Sequence, residues 1–135
     1  YNWSIGFLDI LALIFITHNL GIVAKMCDRV AVMYAGRIVE AGPVTRIFNA
    51  PAHPYTRALL ESIPKLPVGG DHGHPFRQGR LTAIDGQPPD LARLPAGCAF
   101  HPRCPKADDR CRQVDPPEFP VSDDHGTRCW LAAPR

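Results

Sequence analysis

Four cysteines gather near the carboxyl end of the chain: Cys98, Cys104, Cys111 and Cys129, spaced C-x5-C-x6-C-x17-C. Four thiolates form a complete shell for a zinc ion or an iron–sulfur cluster. The paired C-x2-C spacing of common zinc modules is absent. The wider spacing and the Cys104-Pro105 dipeptide lean toward a cluster. Gly97, Pro102, Pro105, Pro116, Pro117 and Gly126 interrupt regular structure, so each cysteine is expected in a loop. Metal–sulfur bonds can cross-link such loops without secondary structure. The alternatives are free thiols or disulfides. Arg103, Arg110, Arg112 and Arg128 could offset thiolate charge or form an ordinary solvated surface. Cys27 stands apart and reads as a core cysteine on an apolar helix face.

His18 is the second chemically suggestive residue. An apolar run, residues 13–16 (LIFI), stops at Thr17-His18-Asn19. Polar residues at the carboxyl end of a parallel strand sit where open α/β sheets bind ligands. The plainer reading is a strand-end residue that caps the next helix. His72 and His74 form an H-x-H pair, for which a solvated loop is the better reading.

The elements that position these residues follow from apolar patterning. The run 13–16 suits a strand covered on both faces of a parallel sheet. Asn19 or Thr17 can cap a helix whose face is Leu20, Val23, Ala24 and Cys27. Asp28-Arg29 closes it. Val30 to Tyr34 and Arg37 to Glu40 then flank Ala35-Gly36 as a hairpin, with Gly36 supplying positive φ. A short helix is expected over residues 43–49, with Pro43 in its first position. A further helix starts at Pro54 and stops at Pro64, with Tyr55, Ala58, Leu59 and Ser62 on one face and Ile63 beside it. Residues 65–80 read as a linker, and residues 81–95 as apolar positions set among turns.

The chain has 135 residues and a formal net charge of +2, too weak to imply a nucleic-acid partner. All 15 prolines lie from Pro43 onward, so the second half should be loop-rich. The sequence begins with Tyr1, as a fragment or processed product would. No basic region precedes the apolar residues 5–16, so no signal peptide is expected. That stretch is too short to span a bilayer and carries Asp9, so it reads as a buried core element. No G-x-x-x-x-G-K-[ST] phosphate loop, no apolar run ending in Asp-Glu and no Ser-Gly-Gly-Gln signature occurs in the 135 residues. The chain alone is therefore expected not to hydrolyse ATP.

Three groups of motifs carry a family resemblance. The stretch ITHN-LGIVAKMCDRVAVMYAGRIVEAGP resembles the carboxyl end of an ABC transporter ATP-binding subunit. HPYT-x-A-L-L and I-x-G-Q-P-P-D-L resemble the carboxyl-terminal extension of oligopeptide and dipeptide transporter ATPases, a group that includes nickel importers. G-C-A-F-H-P-R-C-P-K-A-x-x-R-C, with H-G-T-R-C-W-L, resembles the cysteine motif that ends them.

The resemblance implies an α/β fold. Residues 1–49 would be the end of a nucleotide-binding domain (strand, helix, hairpin), and residues 50–135 a loop-rich, cysteine-containing extension. His18 would be the switch histidine that contacts the ATP γ-phosphate in an intact parent. Asn19 replaces the family's usual Asp and removes a charge there. Residues 1–12 carry one charge where the family has a charged helix. Cys98, Cys104, Cys111 and Cys129 match the positions that hold a 4Fe–4S cluster in some members, with zinc as the alternative. A reducing cytosol would disfavour disulfides. The implied cofactors are ATP and Mg2+ in the parent. The implied partners are membrane permease subunits and a second ATP-binding subunit, at the cytoplasmic face of the cell membrane. Two other readings share the same residues: a stand-alone iron–sulfur or zinc-binding module, and a non-functional gene remnant.

Overall fold

The centre of the fold is a hairpin built on a two-residue turn. In the computed structural model, which describes residues 12–62 and 84–134, β1 (Arg29–Tyr34) pairs antiparallel with β2 (Arg37–Pro43). Ala35 (φ 50°) and Gly36 (φ 77°) both take left-handed backbone, as a primed hairpin turn requires. The positive φ expected of Gly36 is thus shared by Ala35, which has a Cβ and bears a steric cost there. The register shifts after Val32, so that Val32 faces Glu40 while Met33 faces Ile38. The extra residue lets consecutive Val39 and Glu40 both be buried, which strict alternation would forbid.

The last quarter of the chain returns to this hairpin. β4 (His125–Thr127) pairs antiparallel with β2, placing Thr127 opposite Glu40 and Gly126 opposite Ala41. β3 (Phe119–Ser122) adds to β4, giving the order β1-β2-β4-β3. Helices α1 (Leu20–Met26), α2 (Val44–Asn49), α3 (Pro54–Glu61) and α4 (Asp109–Gln113) complete an α/β architecture, with short 3-10 turns at His101–Arg103 and Trp130–Ala132. Val32, Tyr34, Val39, Ile47 and Phe100 form the core, with Tyr55, Leu59, Ile84, Cys98 and Cys104 packed against it. Phe100 is 1% exposed and meets Tyr34 edge-on at 5.1 Å. It therefore pins the cysteine region to the hairpin.

Several expectations are corrected. Residues 13–16 form no strand. Leu13, Ile14, Phe15 and Ile16 are 75%, 88%, 49% and 95% exposed. A buried parallel strand needs a paired neighbour and cover on both faces, and no described strand lies beside this run. The described sheet is antiparallel throughout, not parallel. On α1 only Val23 is buried, and Ala24 is exposed. Cys27 caps that helix half-buried and is not a core residue. Pro43 ends β2 and precedes α2 instead of opening it. Cys111 lies in a helix, α4, and not in a loop. Residues 84–95 hold no regular element beyond turns, as expected. The apolar opening, Ile63, Pro64, the linker with His72 and His74, and residues 81–83 lie outside the described residues.

Candidate functional site

The four cysteines of the motif converge although they come from four separate local structures. Cys98 follows Gly97, whose φ of 70° is left-handed. A Cβ on Gly97 would sit 2.9 Å from the Arg112 carbonyl carbon, so only glycine allows the close approach to α4. That approach lets Cys98 N–H donate to the Cys111 carbonyl at 2.9 Å. Cys111 is held by the cap of α4, where Asp108 Oδ1 accepts its N–H at 2.8 Å. Cys104 closes the 3-10 turn His101–Arg103, and its N–H donates to the His101 carbonyl at 3.2 Å. Cys129 is placed by β4, since neighbouring Arg128 N–H donates to the Val39 carbonyl at 2.8 Å.

All four cysteines line one cavity of about 10 Å³, shared with His53, Phe100, His101, Lys106 and Trp130. Each thiol is free. Burial pushes all four up, and pushes Cys129 to about 11, eased by the Leu131 backbone and reinforced by the other three sulfurs. At neutral pH they are thiols, not reactive thiolates. The donor set, four soft sulfurs around one small space, fits zinc or an iron–sulfur group in chemistry. Among the described residues no group of three or more His, Cys, Asp or Glu side chains is arranged as a ready-made metal site. A bound group would have to draw the sulfurs together and displace their protons.

A buried carboxylate fastens the walls of this cavity to the sheet. Glu40 Oε1 accepts from Ala52 N–H at 2.7 Å, and Oε2 from His53 N–H at 3.0 Å. His125 Nε2 donates to Oε1 at 2.8 Å. Glu40 and His125 are 1% and 4% exposed. One side chain of β2 thus orders the entry to α3 and holds β4. Nothing in the hairpin motif marks Glu40 as buried, because alternation alone would place it opposite Val39. His53 caps α3 through Nδ1, which accepts from Tyr55 N–H at 3.0 Å, with Pro54 in the first helical turn. Burial drops the His53 pKa to about 4, against the opposing pull of Glu40. A His-Pro pair before an apolar helix is the sequence signal for this cap.

The arginines expected near the thiolates are engaged elsewhere. Arg103 donates to the carbonyls of Asp85 and Ile84 at 2.9 and 3.0 Å. Arg110 lies 4.4 Å over the Trp130 ring. Arg112 approaches Asp109 at 3.9 Å, and Arg128 donates to Asp115 at 3.0 Å. Arg37 also pairs with Asp115, tying the hairpin to the segment that follows α4. None of the four arginines lines the cysteine cavity; Lys106 does.

His18 is exposed at a bend, and Thr17 Oγ1 accepts from Asn19 N–H at 3.0 Å. Asn19 Oδ1 then accepts from Gly21 and Ile22 N–H at 3.0 and 3.3 Å and caps α1. Of the two cap candidates, Asn19 is the cap and Thr17 supports it. His18 lines neither the cysteine cavity nor the larger cleft beside it, which Arg57, Asp85 and Lys106 border.

Geometry and sequence then meet in known proteins. The family described as oligopeptide/dipeptide transporter, C-terminal region, matches residues 39–111, from the buried end of the hairpin through the third cysteine of the quartet. The chain belongs to this family. It is 51% identical over 120 residues to a putative peptide import ATP-binding protein of Brucella ovis, covering 88% of this chain and 35% of that protein. It is 48% identical over 120 residues to the dipeptide transport ATP-binding protein DppD of Bacillus subtilis, covering 89% and 33%. It is 50% identical over 123 residues to the oligopeptide transport ATP-binding protein OppD of the same organism, covering 91% and 32%. The chain spans about a third of the length of these curated relatives.

Proposed function

We propose that the chain is the carboxyl-terminal part of an ATP-binding subunit of a peptide-import ABC transporter. The observation that carries this is the family match over residues 39–111, with about half of the residues identical to peptide-transport ATP-binding proteins over nearly the whole chain. Residues 1–49 would end the nucleotide-binding domain and residues 50–135 would form the extension. ATP and Mg2+ would bind with the parts of the protein that carry the phosphate loop. His18, exposed beyond the Asn19 cap, would contact the γ-phosphate and help orient the attacking water. Partners would be membrane permease subunits and a second ATP-binding subunit at the cytoplasmic face. Among the described residues no helix is long and apolar enough to cross a membrane.

Cys98, Cys104, Cys111 and Cys129 would hold a thiolate-bound group in this extension. The motif spacing supports a 4Fe–4S cluster. The cavity of about 10 Å³ supports zinc as the second reading, because roughly one water-sized guest fits a space that small. Either group would cross-link four loop segments that otherwise rest on few apolar residues.

The test is uptake of a labelled dipeptide and a labelled oligopeptide into membrane vesicles from cells carrying the protein at its natural locus. With His18→Ala, ATP-driven uptake should fall about 100-fold or more, as loss of a group that orients the attacking water does. Unchanged uptake of both peptides would contradict the reading.

A further inference from the structure

The buried polar atoms hold an unexplained member. Three side-chain atoms among the described residues are buried without a hydrogen-bond partner: Tyr34 Oη, His53 Nε2 and Thr56 Oγ1. Of these residues only His53 lines the cysteine cavity. A buried donor left unmade costs about 1–3 kcal/mol, so its presence calls for a partner.

The ring's protonation is fixed by its other nitrogen. Nδ1 accepts from Tyr55 N–H at 3.0 Å, so Nδ1 carries a lone pair and Nε2 carries the proton. The ring is held on its backbone side as well, because Glu40 Oε2 accepts the His53 N–H at 3.0 Å. His53 is 1% exposed and sits against Phe100 with ring centroids 5.8 Å apart. The Nε2–H is therefore a fixed, unpartnered donor on a residue that lines the same cavity as the four cysteines. His101, the other cavity histidine, has its Nδ1 committed to the Cys98 carbonyl at 3.0 Å. No arginine lines the cavity; Lys106 does, and its charge and backbone N–H act on Cys104.

We propose that His53 is a positioning residue of the cysteine site: its Nε2–H donates a hydrogen bond to a sulfur of the group held there. This rests on the reading of the cysteine quartet as a thiolate site. A hydrogen bond to an ionised sulfur is charge-assisted and stabilises the thiolate over the thiol. The donor is withheld from ligation, because Nε2 could bind a metal only after losing its proton. Glu40 thereby links the hairpin to the site, through the backbone of a residue that shares the cavity lining with the four cysteines.

The full chain, purified and stripped of metal, is titrated with Zn2+ against a chelator and with Co2+ by absorption. Wild type should bind one equivalent and show sulfur-to-cobalt charge-transfer bands. His53→Asn preserves the α3 cap, since Asn is a strong N-cap residue, but its side chain is too short to place a donor in the cavity. It should still bind one equivalent, with affinity lower by about 10–100-fold and the charge-transfer bands moved to lower energy. His53→Gln, which restores an N–H at longer reach, should recover most of both. Far-UV circular dichroism confirms that each variant is folded. Binding of one equivalent with affinity and bands unchanged in His53→Asn would overturn the role of His53 and leave the thiolate site standing. Failure of the wild-type chain to bind either ion, with no cluster on reconstitution by iron and sulfide, would overturn the thiolate site and the role of His53 together.

Discussion

Residues 13–16 and strand β1 are built from the same kinds of side chain and meet opposite fates. In β1, Val32 and Tyr34 are 8% and 6% exposed, whereas Ile14 and Ile16 are 88% and 95% exposed. The difference lies in the partner, not the residues. β1 is followed by a two-residue turn and meets β2 at once, so its pairing is local. A parallel strand requires a crossover of about a dozen residues or more to reach its neighbour. The antiparallel part of this molecule is therefore self-sufficient, while the apolar run before His18 has no layer over it among the described residues. The cysteine region follows the first pattern, since β4, Phe100 and the Glu40 network attach it directly to the hairpin.

Glu40 is the most consequential joint between the hairpin and the cysteine region. Glu40→Ala leaves the half-buried Ala52 N–H and the buried His53 N–H and His125 Nε2 without their acceptor. It should cost about 3–5 kcal/mol in urea unfolding of the full chain, since each donor left unmade costs about 1–3 kcal/mol.

Acid comes next. Burial drops the folded His53 pKa to about 4, below its ordinary 6.5. Below pH 6.5 the unfolded chain binds a proton that the fold refuses. Stability of the metal-free chain should be complete above pH 6.5. It should fall by up to about 1.4 kcal/mol per unit toward pH 4 and level off beneath. Denaturation midpoints across that window measure it, and His53→Asn should flatten it.

Gly97→Ala tests the approach of Cys98 to α4. A left-handed alanine abutting the Cys111 carbonyl and Arg112 backbone should cost about 2 kcal/mol. It should also weaken zinc binding in the same sample. The smallest effect belongs to the exposed run: Ile16→Ser should change stability by less than about 0.5 kcal/mol. A cost of several kcal/mol there would erase the distinction between the two regions.

Much of the positioning was legible in the sequence. Ala35-Gly36 between two alternating runs marks the hairpin, and Asn19 and Pro54 mark helix starts. Motif spacing named the cysteines before any geometry joined them. What escaped depends on long-range contacts. The bulge that turns Glu40 inward arises from a register shift, and no local pattern encodes it. His125 and Thr127 acquire their roles only when β4 reaches β2, some 85 residues from Glu40 to His125 along the chain. Residues 13–16 misled because an apolar β-branched run reports what a strand needs and not whether its neighbours are present.

The most direct test of the account is metal analysis of the full chain purified without oxygen. Iron and acid-labile sulfide in equal amounts with visible absorption, or one zinc per chain, is the predicted result, lost when Cys98 and Cys129 are both replaced by serine. Neither metal bound, with all four thiols open to alkylation in the folded protein, would contradict it.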